Sequence, residues 1–222
     1  MGIGSPAPAP ETSPGNAVGD MTGTRAASAT SHGGGHATST GLDTWKLGFW
    51  IFLGSETLFF GSLISTYMVY KHESIVGPHP PEVLNIPLTS ISTFVLLMSS
   101  LAMVIALDAV QRGMRRSALF WIMAVVLLGG GFLGFQAYEF THFYHVGLTL
   151  ETNLFGSTFF ILTGFHGAHV SVGVMWLLIL WLDAWRGRLG PHNALRLEIA
   201  GLYWHFVDIV WIAIFTLIYL IE

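Results

Sequence analysis

The chain has 222 residues, 52% of them hydrophobic and only 10% charged, against about 25% charged in an average globular chain. No soluble fold of this size could hide so much apolar surface from water, and the absence of cysteine excludes disulfide scaffolds, iron–sulfur clusters, thiolate zinc sites and cysteine nucleophiles. A net charge of −4 leaves no basic footprint for nucleic acid, so an integral membrane protein is the class that remains.

Residues 1–44 are mostly Gly, Pro, Ala, Ser and Thr and contain no apolar run. Such a composition cannot bury enough surface to fold, and a disordered tail is expected there. No hydrophobic stretch follows a basic start, so a signal peptide is not expected in these residues. His32 and His36 flank a glycine run, but a flexible tail outweighs a metal-binding one.

From Trp45 the chain divides into apolar segments at about 45–70, 88–110, 117–140, 154–182 and 201–221. A bilayer core needs about 20 helical residues, and only helices satisfy their own backbone there. The expected fold is all-α, with residues 45–222 forming a bundle of five transmembrane helices. Breakers fall between spans, as in Gly77-Pro-His-Pro-Pro81 and Gly190-Pro191.

The first span carries Glu56 near mid-depth, where an ionised carboxylate costs several kcal/mol. Two readings stand side by side. Either Glu56 is a protonated acid bonded to a neighbouring helix, or it relays protons or faces a partner subunit or lipid headgroup. The third span ends with Gln136 and Glu139, the fourth contains His166 and His169, and the fifth contains His205 and Asp208. Each pair is spaced i, i+3 and so shares a helix face. Span histidines can hold haem or metal, but the paired Glu-x-x-His motifs of a di-iron bundle are missing. Interhelical hydrogen bonding is the favoured reading, and no metal site is expected. Gly130 and Gly134 form a Gly-x-x-x-Gly, and Gly54, Gly164 and Gly167 are further expected points of close helix packing.

Orientation follows from the basic residues. With the N-terminus in the cytoplasm, Arg25, Lys46, Arg112, Arg115, Arg116, Arg186, Arg188 and Arg196 lie inside and only Lys71 outside. The positive-inside rule therefore places the N-terminus in and the C-terminus out.

The residues in four motifs resemble subunit III of the haem–copper terminal oxidases. The motifs are Gly48-Phe-Trp-Ile-Phe-Leu-Gly-Ser-Glu56-Thr-Leu-Phe-Phe60, Gln136-Ala-Tyr-Glu139, Gly156-Ser-Thr-Phe-Phe-Ile-Leu-Thr-Gly-Phe-His166-Gly-Ala-His169-Val and Tyr203-Trp-His-Phe-Val-Asp208-Ile-Val-Trp211. The resemblance covers about Leu47 to Glu222. It implies a non-redox accessory subunit beside a haem–copper subunit I that reduces O2 to water and pumps protons. Assembly and sustained turnover are the role implied for this chain. Haems and copper would belong to subunits I and II, bound phospholipid is expected, and a small fourth subunit has room in such a complex. Glu56 matches the family's buried, carbodiimide-reactive glutamate; Gln136, Glu139, His166, His169, His205 and Asp208 match polar bundle positions without a catalytic role. Seven-span relatives have two helices more, and five spans favour a prokaryotic plasma membrane. Cytochrome c is the expected electron donor, with quinol as the alternative. An independent proton channel and a haem-carrying electron carrier are the competing function classes.

Overall fold

The computed structural model describes residues 44–70, 86–145, 147 and 154–220, together with Gly2. The expected disordered tail lies outside the described residues, apart from Gly2 and Thr44. Five long helices make up the rest: α1 (Thr44–Tyr70), α2 (Ile86–Gln111), α3 (Arg115–His145), α4 (Leu154–Trp185) and α5 (Leu195–Phe215). A single 3-10 turn, Pro191–Asn193, leads into α5, and a π turn, Thr216–Leu220, extends it. All five are long and apolar enough to cross a membrane, and the described residues contain no strand.

Two boundaries differ from the apolar runs. The third helix continues to His145 and the fifth begins at Leu195 rather than 201. Charged residues ended the hydrophobic pattern before they ended the helix. Glu198 is paired with Lys46 of α1 at 2.5 Å, and Arg196 with Asp183 of α4 at 2.8 Å, so the first turn of α5 holds its charges in interhelical pairs.

The turn after α2 and the turn after α4 share one construction. Gly113 N–H donates to Val110 O and Met114 N–H to Ala109 O; Gly187 N–H donates to Ala184 O and Arg188 N–H to Asp183 O. Both glycines have left-handed backbone, φ 71° and 75°, the conformation that lets the following amides fold back onto the last carbonyls.

α5 is the hub, packing against α1, α2 and α4, while α3 packs between α2 and α4. α1 is peripheral: it buries only Leu53, Phe60 and Tyr67, one residue every seven, a single narrow seam against α4 and α5. Trp204 of α5 fills the centre. Its indole N–H donates to Ser99 Oγ of α2 at 2.9 Å, and its ring lies in a slot between Gly129 of α3 and Gly173 of α4. Gly201 approaches Met103 in the same way.

The expected packing glycines distribute differently. Gly167 lies against Gln136, whereas a Cβ at Gly54, Gly130, Gly134 or Gly164 would meet nothing within 4 Å. Small residues alone do not say which face of a helix is covered. Gly134, with Gly131, instead lines an open groove beside Leu88, Phe135 and Tyr138.

Candidate functional site

The polar residues of the spans gather in separate interhelical clusters. Glu56 of α1 meets His169 of α4, Oε2 to Nε2 at 3.1 Å, with each side chain about four-fifths buried (19% exposed). The other imidazole nitrogen, Nδ1, lies 2.8 Å from Phe165 O. A carbonyl only accepts, so Nδ1 carries a proton. The Glu56–His169 contact then holds one more: a carboxylic acid donates to bare Nε2, or an imidazolium donates to a carboxylate. Both arrangements are neutral as a unit, which is how an acid and a base can sit inside a span. Tyr203 of α5 donates its hydroxyl to His169 O at 3.0 Å, so the cluster ties three helices.

His166 stands one turn from His169 but faces a different environment. Its ring stacks on Trp211 at 4.8 Å and meets Phe132 and Phe60 edge-on. Phe60 touches both histidines, with its centroid 4.9 Å from that of His169. Neither ring nitrogen of His166 has a hydrogen-bond partner, and the side chain is fully buried. The shared spacing thus places the two rings against one common aromatic, Phe60, with His169 hydrogen-bonded and His166 without a polar partner.

Gln136 and Glu139 also part. Gln136 Nε2 donates to Thr163 O across the α3–α4 contact at 2.7 Å, while its Oε1 has no partner. Glu139 Oε1 accepts from Thr89 Oγ1 at 2.9 Å and from Tyr219 Oη at 3.2 Å, near the end of the bundle where α3 finishes. The π turn carries Tyr219, which reaches α3 from the end of α5. His205 and Asp208 stay together: Ser100 Oγ of α2 bonds His205 Nδ1 and also lies beside Asp208. By strict geometry both buried Asp208 oxygens lack a hydrogen-bond partner.

Sequence reasoning passed over the partners on α2. Thr89, Thr93, Ser99 and Ser100 line the helix with hydroxyls that answer Glu139, Trp211, Trp204 and His205 in turn. The signal was present as a run of Ser and Thr inside an otherwise apolar span. Tyr203 was likewise visible only as part of a motif.

No group of three or more His, Cys, Asp or Glu capable of holding a metal occurs among the described residues. The arrangement joins helices through buried polar bonds, and in the Glu56–His169 pair it can also move one proton between an acid and a base.

Gly167 offers a direct test of the α3–α4 bond. A Cβ there would lie 2.8 Å from Gln136 Oε1 and 2.9 Å from Nε2. Gly167→Leu must therefore drive Gln136 off Thr163 O, costing about 1–3 kcal/mol in overpacking. The expected outcome is a severalfold lower recovery of the folded chain from membranes, with Gly164→Ala recovered normally. Immunoblotting of solubilised membranes measures both.

Comparison with known proteins finds one family and many relatives of this chain. The profile of the family described as cytochrome c oxidase subunit III matches residues 23–222. Quinol oxidase subunit 3 of Bacillus subtilis (strain 168) is 41% identical over 174 residues, covering 78% of this chain and 85% of that protein. Cytochrome c oxidase subunit 3 of Bacillus sp. (strain PS3) is also 41% identical over 174 residues, 78% and 84%. The probable quinol oxidase subunit 3 of Staphylococcus saprophyticus is 43% identical over 177 residues, 79% and 88%.

Proposed function

The chain belongs to the cytochrome c oxidase subunit III family, and from that premise we propose that it is the non-redox supporting subunit of its terminal oxidase, keeping subunit I assembled and active through repeated turnover. It is a multi-pass protein of the plasma membrane and a subunit of a terminal oxidase complex. The observation that carries the supporting role is the Glu56–His169–Tyr203 cluster. α1 is attached by a seam of three buried residues, and this cluster is its polar tie to α4 and α5 within the membrane. Glu56, His169, Gln136, Glu139 and His205 act here as interhelical bonds, with Asp208 buried beside His205 and the haems and copper held by subunits I and II.

Cytochrome c is the proposed donor. Quinol is the second reading, favoured by the equal identity of the Bacillus subtilis quinol oxidase subunit. Purification in mild detergent tests the whole reading. A haem–copper subunit I, a subunit II and phospholipid should accompany the chain, with a small fourth subunit where the complex has one. Oxygen uptake with reduced cytochrome c and with a quinol then assigns the donor. Isolation of the chain without a haem–copper subunit would overturn the role.

The proposed orientation has the N-terminus in the cytoplasm. Among the described residues, Lys46, Arg112, Arg115, Arg116, Arg186, Arg188 and Arg196 all lie toward one end of the bundle, and the other end has no Lys or Arg. That asymmetry is the one the positive-inside rule reads. Because the chain has no cysteine, a single cysteine placed at Arg188 or Gly147 reports its side without background. Gly147→Cys should react with an impermeant maleimide added to intact cells and Arg188→Cys only after lysis. The reverse pattern would invert the topology.

A further inference from the structure

One face of α5 stays open between its neighbours. Trp204, His205 and Phe206 follow one another, each side chain turned about 100° from the last. Trp204 goes to Ser99 of α2, and Phe206 goes to Phe60 of α1 with ring centroids 6.4 Å apart. His205 therefore points outward between α2 and α1. Ile209 and Ile212 continue in that direction along the helix and are exposed. His205 is about ten residues into the span Leu195–Leu220, about 15 Å from its start and so near mid-depth.

This imidazole is answered on one side only. Nδ1 lies 2.5 Å from Ser100 Oγ of α2, and Ser100 is also the hydroxyl beside Asp208. Nε2 has no partner among the described residues, and unlike the two orphaned oxygens of Asp208 it is not enclosed. Asp208 is in no ion pair among the described residues, so the trio inside the span is expected to be neutral as a whole. In one neutral arrangement a protonated Asp208 donates to Ser100, which donates to bare Nδ1, and the imidazole carries its proton on Nε2. In the other an imidazolium donates from Nδ1 to Ser100, which donates to a carboxylate, and Nε2 again carries a proton. Both present an N–H to the outside of the bundle.

Hydrocarbon offers this N–H no acceptor, and the oxygens of a phospholipid stay at headgroup depth. We propose that the open stripe of α5, His205 with Leu202, Ile209 and Ile212, seats a transmembrane helix of another oxidase subunit that brings a side-chain oxygen to His205 Nε2. Ser, Thr, Asn, Gln, Tyr or a protonated acid at that depth meets the requirement, and a wholly apolar helix does not. Ile209 and Ile212 supply the apolar contact around the bond. Glu56 lies outside this seat, on His169 of α4. The inference rests on the chain's place in a terminal oxidase complex, and is independent of the supporting role and of the electron donor.

The test uses the purified oxidase complex with the photoreactive residue benzoyl-phenylalanine in place of Ile209, one turn from His205. Irradiation should join this position to a transmembrane segment of another oxidase subunit. Peptide mass spectrometry should place the cross-link within about one helical turn of an oxygen-bearing side chain. Cross-links to lipid or quinone alone, or to a segment with no such side chain in reach, overturn the proposal. A second measurement changes the ring itself. His205→Phe has no N–H and should release the chain from the complex about threefold to tenfold faster in a detergent wash, the scale of one interhelical hydrogen bond in a membrane. His205→Gln keeps an amide N–H for the partner and should release at a rate closer to wild type. Release of His205→Phe at the wild-type rate overturns the proposal as well. Should that variant fail to insert, the cross-link at Ile209, made with His205 intact, decides alone. Subunit I is scored separately: its presence with lipid-only cross-links rejects the seat and leaves the supporting role standing, whereas its absence rejects that role.

Discussion

Glu56→Ala is expected to leave an oxidase that starts at nearly normal speed and loses activity severalfold faster during turnover. The substitution strips His169 Nε2 of its partner in a mostly buried site. An abandoned polar group of this kind costs about 1–3 kcal/mol, and the tie between α1 and α4 goes with it. Glu56→Gln should behave differently. A glutamine amide donates N–H to Nε2 while Nδ1 keeps its bond to Phe165 O, so the hydrogen bond survives without a movable proton. Initial oxygen consumption within about twofold of wild type is the expected result for Gln. Both quantities come from one trace: the initial rate and its decay over repeated turnover. A loss of initial rate of about tenfold or more in the Gln variant, about 1.4 kcal/mol of barrier relative to wild type, with the complex intact, would mean the proton itself is used.

Gly129→Leu should abolish recovery of the assembled oxidase. A Cβ at Gly129 would lie 2.5 Å from Trp204 Cη2, 2.8 Å from Cζ2 and 3.0 Å from Val174 Cγ2. The indole cannot move aside. Ser99 Oγ holds its N–H, and on the α4 side a Cβ at Gly173 would already be 3.0 Å from the ring. Even Gly129→Ala should cost about 1–3 kcal/mol and lower the thermal midpoint of the complex. Gly130→Ala is the matched control, because its Cβ meets nothing within 4 Å. Haem absorbance of the purified complex and its melting temperature distinguish the pair. Wild-type values for Gly129→Leu would show that Trp204 does not occupy this slot.

Span number and position were legible in the sequence because hydrophobic length is a property of the chain alone. The ends of α3 and α5 were not, since they depend on where Lys46, Asp183 and the bundle interior fall in space. The polar side chains were legible as residues and not as partnerships. Mid-span Glu56 stood out, but nothing in its local sequence points to His169, 113 positions away. Helical spacing grouped His166 with His169 and Gln136 with Glu139, yet a step of three residues turns a side chain by about 60°. In a bundle with neighbours on several sides, that rotation is enough to meet different helices. Glycine was the least readable signal. Gly129, which lies against Trp204, and Gly130, which faces open space, are adjacent in the chain and chemically identical.

The central place of α5 bears on how the protein is made. This helix is synthesised after the other four, and it supplies Trp204, Trp211 and Tyr203, the side chains that answer α2 and α4. While the ribosome is still adding residue 195, α1 has only its contact with α4, and the hydroxyls of Thr93 and Ser99 still await their indole partners. Each earlier helix can enter the bilayer by itself, and α2, α3 and α4 can pack on one another in order, but α1 and α2 lack their partners on α5 until that helix arrives. A chain stopped before α5 would keep the packing of α2, α3 and α4 on one another but leave the buried hydroxyls of Thr93 and Ser99, and half of the α1 seam, without their partners.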